Sequence, residues 1–161
     1  MEMDSEMEDG LFLAAFESGS LPEECFRHRD HVRAAWLLLQ DAPPAAALAR
    51  FSEALKRFAA SLGKSRLYHE TITWAYVLLI NERMERADET QCWREFAAAN
   101  EDLLTWRPSI LESYYREETL WSDLARAVFV LPDRVSAIQP VPSLRHEGEI
   151  GLRPNFLLSR L

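Results

Sequence analysis

Three of the four histidines stand where a single pocket could be built from them. His28 and His31 form an H-x-x-H pair at the entry to an apolar segment, and His69 precedes Glu70 at the entry to another. Side chains three residues apart on a helix share one face, about one turn from each other. His28 lies four residues before Val32, and His31 four before Ala35, so both extend the inward stripe of their helix while Arg29 and Arg33 point elsewhere. Two neutral imidazoles at this spacing can chelate one divalent cation. A third from His69 gives the ligand set of a metal centre with open positions, suited to Zn, Fe or Mn. Glu70 would then be a fourth ligand or the general base that activates a bound water.

Plainer roles use the same residues. Histidines at a helix start can cap it, hydrogen-bond carbonyls and pack. An acid in a first turn, as Glu70 would be, gains about 0.3–1 kcal/mol from the helix dipole. The run His69-Glu70-Thr71-Ile72-Thr73 begins like an H-E-x-x-H zinc helix, but Thr73 stands where the second histidine must be. It is not a metalloprotease motif. Tyr68, Thr73 and Tyr76 are the polar groups closest in sequence for orienting a ligand, and Tyr76 shares the helix face of His69. Arg126 is expected to anchor Asp133 or a terminal carboxylate. The Trp residues and Tyr114-Tyr115 read as packing. His146, the fourth histidine, falls in a loop-like tail.

The elements that must position these groups are helical. Leu11 to Phe16 opens a short helix that stops at Gly19. Val32, Ala35, Trp36 and Leu39 define a second, closed by Pro43-Pro44. Leu48, Phe51, Leu55, Phe58, Ala59 and Leu62 form one stripe, ended by Gly63. Tyr68 to Arg83 is apolar on almost all sides, the pattern of a central helix. Thr90 can cap a fifth that buries Trp93, Phe96, Ala97 and Leu104. Pro108 suits the first turn of a sixth carrying Ile110, Leu111, Tyr114 and Tyr115. After a charged break at Arg116 to Glu118, Leu120, Trp121, Leu124, Ala125 and Val128 make a last helix, stopped before Pro132. The expected fold is an all-α, single-domain bundle of about six or seven helices around one apolar helix. Residues 11–134 form the domain, 1–10 an acidic, flexible N-terminus and 135–161 an irregular tail.

Composition limits the partners. The 161 residues carry 26 acids against 18 bases, a net charge of −8, which argues against a general nucleic-acid footprint. An apolar fraction of 48% is that of a globular chain with a sizeable core. The longest apolar run, Ile72 to Ile80, is too short to span a bilayer, and no signal peptide is visible. Cys25 and Cys92 lack C-x-x-C company and are expected as free, buried thiols, which places the chain in the cytoplasm. Phosphate loops, nucleophile elbows and thiol-redox pairs are absent from the sequence.

At these residues the chain resembles a group of small bacterial proteins of unknown function. Their pattern is aromatic-x-H-x-x-H-L-x-x-A-W, then G-Y-H-E-T-x-T, then a terminal Pro-Asp element. Here it reads Phe26-Arg27-His28-Arg29-Asp30-His31-Val32 with Ala35-Trp36, then Leu67-Tyr68-His69-Glu70-Thr71-Ile72-Thr73, then Val130-Leu131-Pro132-Asp133. Val32 replaces the usual Leu, and Leu67 the usual Gly. The resemblance implies an all-helical fold and marks His28, His31, His69 and Glu70 as the residues of interest. It implies no activity.

Three readings follow from the residues. One is a metal-dependent enzyme or metal-binding protein using His28, His31, His69 and Glu70. A second is a non-catalytic module that holds a small anion or an aromatic molecule between helices, with Arg27, Arg29 or Arg33 assisting. The third is a structural helical protein whose histidines form a buried hydrogen-bond network. A homodimer is compatible with each.

Overall fold

A computed structural model describes residues 8–87 and 91–134, and it is a single all-α domain. Residues 1–7 of the expected N-terminus, Thr90, His146 and the expected tail at 135–161 lie outside the described residues, while Asp9 and Gly10 belong to the first helix. Helix α1 (Asp9–Ser18) ends at Gly19, whose φ of 73° lets it close the helix in the left-handed conformation. Helix α2 (His28–Asp41) opens with the Asp30 carboxylate accepting from the Arg27 N–H at 2.9 Å. Pro44 then starts α3 (Pro44–Ser61) at a position where its missing N–H is not needed. Gly63, with φ 67°, turns the chain toward a short 3-10 segment, Ser65–Leu67. Helix α4 (Glu70–Arg86) follows and packs on both α2 and α3.

The core lies among these helices. Phe16, Leu38 and Ile80 are fully buried, with Trp36, Phe51 and Phe58 packed around them. Each such side chain contributes about 1.5–3 kcal/mol relative to exposure. Thr71 and Thr73 are buried within α4, and Leu78 alone of its middle turns is exposed, so α4 is central as its composition predicts.

The second half of the chain is more broken than its periodicity suggests. Helix α5 (Trp93–Ala99) and the single turn α6 (Glu101–Leu104) meet at Asn100, whose side chain donates to the Phe96 carbonyl. The expected helix from Pro108 is a 3-10 turn, Ile110–Ser113, entered through a cis Arg107–Pro108 bond and capped by Ser109. The expected last helix is two short ones, α7 (Glu117–Leu120) and α8 (Asp123–Ala127). The supposed charged break at Arg116 to Glu118 is where α7 begins. The Ser122 hydroxyl caps α8 by accepting from the Ala125 N–H, so the chain restarts there and Trp121 and Leu124 face outward.

Residues 128–134 then form an extended strap. The Thr71 hydroxyl donates to the Val128 carbonyl and accepts from the Val130 N–H. Tyr115 donates its hydroxyl proton to the Val130 carbonyl, and the Phe129 ring stacks on Trp74. The Asp133 carboxylate receives the Arg116 N–H and the Thr119 hydroxyl.

Three further expectations are corrected. Cys25 and Cys92 are free, as expected, but exposed rather than buried. Arg33 does not point away: it is 7% exposed, lies over the Phe12 ring and pairs with Asp9 at 2.5 Å. Arg126 does not anchor Asp133. It donates instead to the Arg66 carbonyl. Among the described residues, no helix is long and apolar enough to cross a membrane.

Candidate functional site

Helices α2, α3 and α4 leave a cleft of about 530 Å³ between them, and His28, His31 and His69 all line it. The α2 stripe supplies the first two rings, because His28 is the first helical residue and His31 lies one turn further in. His69 arrives from the opposite side as the cap of α4. Apolar walls come from Phe51, Leu55 and Phe58 of α3, and Tyr68, Ile72, Thr73 and Tyr76 complete the α4 side. The three histidines line one cleft, but among the described residues they do not gather into a ligand group.

What each ring can do is set by its hydrogen bonds. A backbone carbonyl only accepts, so a ring nitrogen bonded to one must carry the proton. His28 Nε2 is 2.9 Å from the Leu103 carbonyl and therefore donates, which leaves Nδ1 with a free lone pair. His69 Nε2 likewise donates to the Leu120 carbonyl at 2.9 Å, while its Nδ1 accepts from the Ile72 N–H at 3.3 Å. Both nitrogens of His69 are thereby engaged in holding α4 to the turn before Trp121. A metal would need one of them. Among the described residues, no three His, Cys, Asp or Glu side chains form a group that could hold a metal ion.

All three imidazoles are biased toward the neutral form. Burial pushes His31 down to about 4, helped by the neighbouring His28 and opposed by the Phe26 carbonyl. Burial also lowers His28, against the pull of the Leu103 carbonyl. His69 is lowered by burial first and by the Arg126 charge, with the Leu120 carbonyl opposing. The imidazoles lining the cleft are therefore uncharged at neutral pH. The cleft's charged groups are Arg126 and the mutually paired Lys64 and Glu23.

Glu70 does not line this cleft. Its carboxylate accepts from Trp74 Nε1 at 2.8 Å, one turn along the same helix, and lies 3.7 Å from Lys56 Nζ. The Lys56 ammonium also sits 4.6 Å above the Tyr68 ring. These partners tie α3 to α4, a positional role of the kind the helix dipole already favours in a first turn.

Tyr68 and Tyr76 are where an orienting role was expected, and both reach the cleft. The Tyr76 hydroxyl is satisfied by Ser109 at 2.9 Å. The Tyr68 hydroxyl is buried near Ser52, Glu70 and Thr73, yet makes a well-formed hydrogen bond with none of them. Burial pushes this phenol up to about 12, so it is a neutral donor.

Sequence reasoning missed the rim. The sequence pattern predicts Trp106 and Trp121 as packing residues, but they are 39% and 46% exposed and flank the opening. The His28 ring lies 5.2 Å from Trp106, and the His69 ring meets Trp121 edge-on at 5.9 Å. The signal that could have placed them is local. Trp106 stands in the turn before Arg107-Pro108, and Trp121 precedes the helix-capping Ser122, so neither belongs to a continuous stripe.

No family model, curated protein or solved structure matches the chain. The functional reading therefore rests on the cleft itself.

Proposed function

We propose that this protein is a small-molecule-binding helical module whose ligand sits between α2, α3 and α4. The observation that carries the reading is the cleft's polar inventory. An apolar cavity of about 530 Å³ holds uncharged imidazoles, one with a free Nδ1 acceptor. Burial of apolar surface drives binding in such a cleft, and the His28 Nδ1 lone pair accepts from a donor on the ligand. The volume falls in the range of ordinary ligand sites, about 300–1,000 Å³, with apolar walls and a few placed polar groups. An apolar body bearing one hydrogen-bond donor fits the cleft walls and His28. The resemblance to the small helical bacterial family supports this reading in part, since its marked histidines line the cleft while Glu70 does not. A cytoplasmic setting is part of the same proposal, supported by two exposed free thiols.

Thermal-shift measurements with indole, benzimidazole and 2-naphthol, each with and without a chelator, test the reading. A ligand at a hundred times its Kd adds about 2.7 kcal/mol. For a domain of this size that is a rise of roughly 5–10 °C in Tm. The rise should survive the chelator and vanish in Leu55→Trp, which fills the cleft from α3. Elemental analysis of untagged protein runs beside it. Stoichiometric metal that His69→Ala removes would replace this reading with the metal centre.

A further inference from the structure

A second cleft of about 550 Å³ adjoins the first, and Ile72, Trp106 and Trp121 line both. The two differ in chemistry. The second is lined by Arg107, Ser109, Glu112, Glu117 and Arg134 together with a few apolar side chains. Its two guanidinium groups make no hydrogen bond or ion pair with any described residue, and the single bond of Arg134 uses its backbone N–H. The carboxylates are less available. Glu112 is turned onto the Ser109 N–H at 3.1 Å as a helix cap, leaving Glu117 as the acid without a described side-chain bond.

We infer that the ligand is an amphiphile, with an apolar body in the histidine cleft and an anionic head between Arg107 and Arg134. The inference rests on the small-molecule-binding reading and names the ligand class. Arginine is suited to carboxylate and phosphate because its planar fork donates two parallel hydrogen bonds. Two forks that no described residue engages, beside an apolar cavity, match a molecule with one charged end. Between the clefts, Trp106 and Trp121 offer apolar ring surface for a chain to lie against. A wholly apolar ligand would leave both guanidinium groups unused, and a cation would meet them as like charges.

Calorimetric titration of the full chain with decanoate and with 1-decanol tests this, on wild type, Arg107→Gln/Arg134→Gln and Glu117→Gln. All three positions are exposed, so the variants keep the fold. Decanoate should bind at least tenfold more tightly than decanol. The double arginine variant should lose that advantage while decanol binding is unchanged, and Glu117→Gln should tighten decanoate several-fold. Raised salt should weaken decanoate alone. Equal binding of decanoate and decanol, indifferent to the arginines, would overturn the anionic head while leaving the cleft reading intact. Failure of both, together with failure of the aromatic probes to stabilise the chain, would overturn both.

Discussion

Acid should destabilise this protein through His31 in a way that one substitution removes. An imidazole ordinarily titrates near 6.5. In the native chain burial holds His31 at about 4, so between these values the unfolded state carries a proton that the native state does not. Stability rises with pH wherever the unfolded state binds more protons. The contribution of His31 is therefore undiminished above 6.5, declines as pH falls, and levels off near 4. The full span corresponds to about 3 kcal/mol at 1.36 kcal/mol per tenfold change in proton affinity. The ring is half-buried and faces the cleft, where water softens the penalty, so the measurable part at pH 4.5 is about 2 kcal/mol. Urea titrations of wild type and His31→Gln from pH 4.5 to 7.5 read this directly. Gln keeps a polar side chain of similar size beside Phe26 but does not titrate. The wild-type curve should fall below that of the variant by about 2 kcal/mol over the acidic limb, with the two running parallel above pH 7. Curves parallel throughout would show that His31 is not held neutral and would refute the buried environment assigned to it.

Two substitutions probe the groups that frame the cleft. His69→Ala removes the cap of α4 and the bond to Leu120, for which a loss of about 2–3 kcal/mol is expected by urea denaturation. His69→Asn should recover about a third to a half of it, because Asn can cap but cannot reach as far. Thr71→Val keeps the shape of the buried side chain and removes its hydroxyl, leaving the Val128 carbonyl and the Val130 N–H without their partner. The expected cost is about 2 kcal/mol, seen as a Tm lower by roughly 4–8 °C in calorimetry; a change below about 0.5 kcal/mol would mean the strap is not held there.

The helices that build the cleft could be read from the chain because their signals are local and agree. Gly19, Pro44 and Gly63 end or begin elements where they stand, and the stripe of α3 has one period throughout. That His28, His31 and His69 line one cleft follows from the same periodicity, since each extends an inward face, but the ligand group expected of them is not formed among the described residues. Which nitrogen each ring has free did not follow, because that is decided by the carbonyls of Leu103 and Leu120, 75 and 51 residues away in sequence. Glu70 was misplaced for a similar reason. Adjacent residues at a helix start point in different directions, and Trp74 and Lys56 claim the carboxylate. The second half failed as a helical reading because its apolar residues serve short turns and a strap. Leu120, Trp121, Leu124, Ala125 and Val128 keep a helical spacing that the Ser122 cap interrupts.

The strap at residues 128–134 also bears on the order of assembly. Its bond to Thr71 closes a span of 57 residues, and its other partners, Tyr115, Arg116 and Thr119, must already be placed in their own turns. Loop closure of that length comes at an entropic cost that is recovered only once those partners are in position. Strap docking therefore follows formation of the α2–α4 core. Interactions made after the rate-limiting step alter the rate of unfolding and leave the rate of folding nearly untouched. A strap that docks after the rate-limiting step acts as a latch on the lifetime of the folded chain and leaves its speed of folding nearly unchanged.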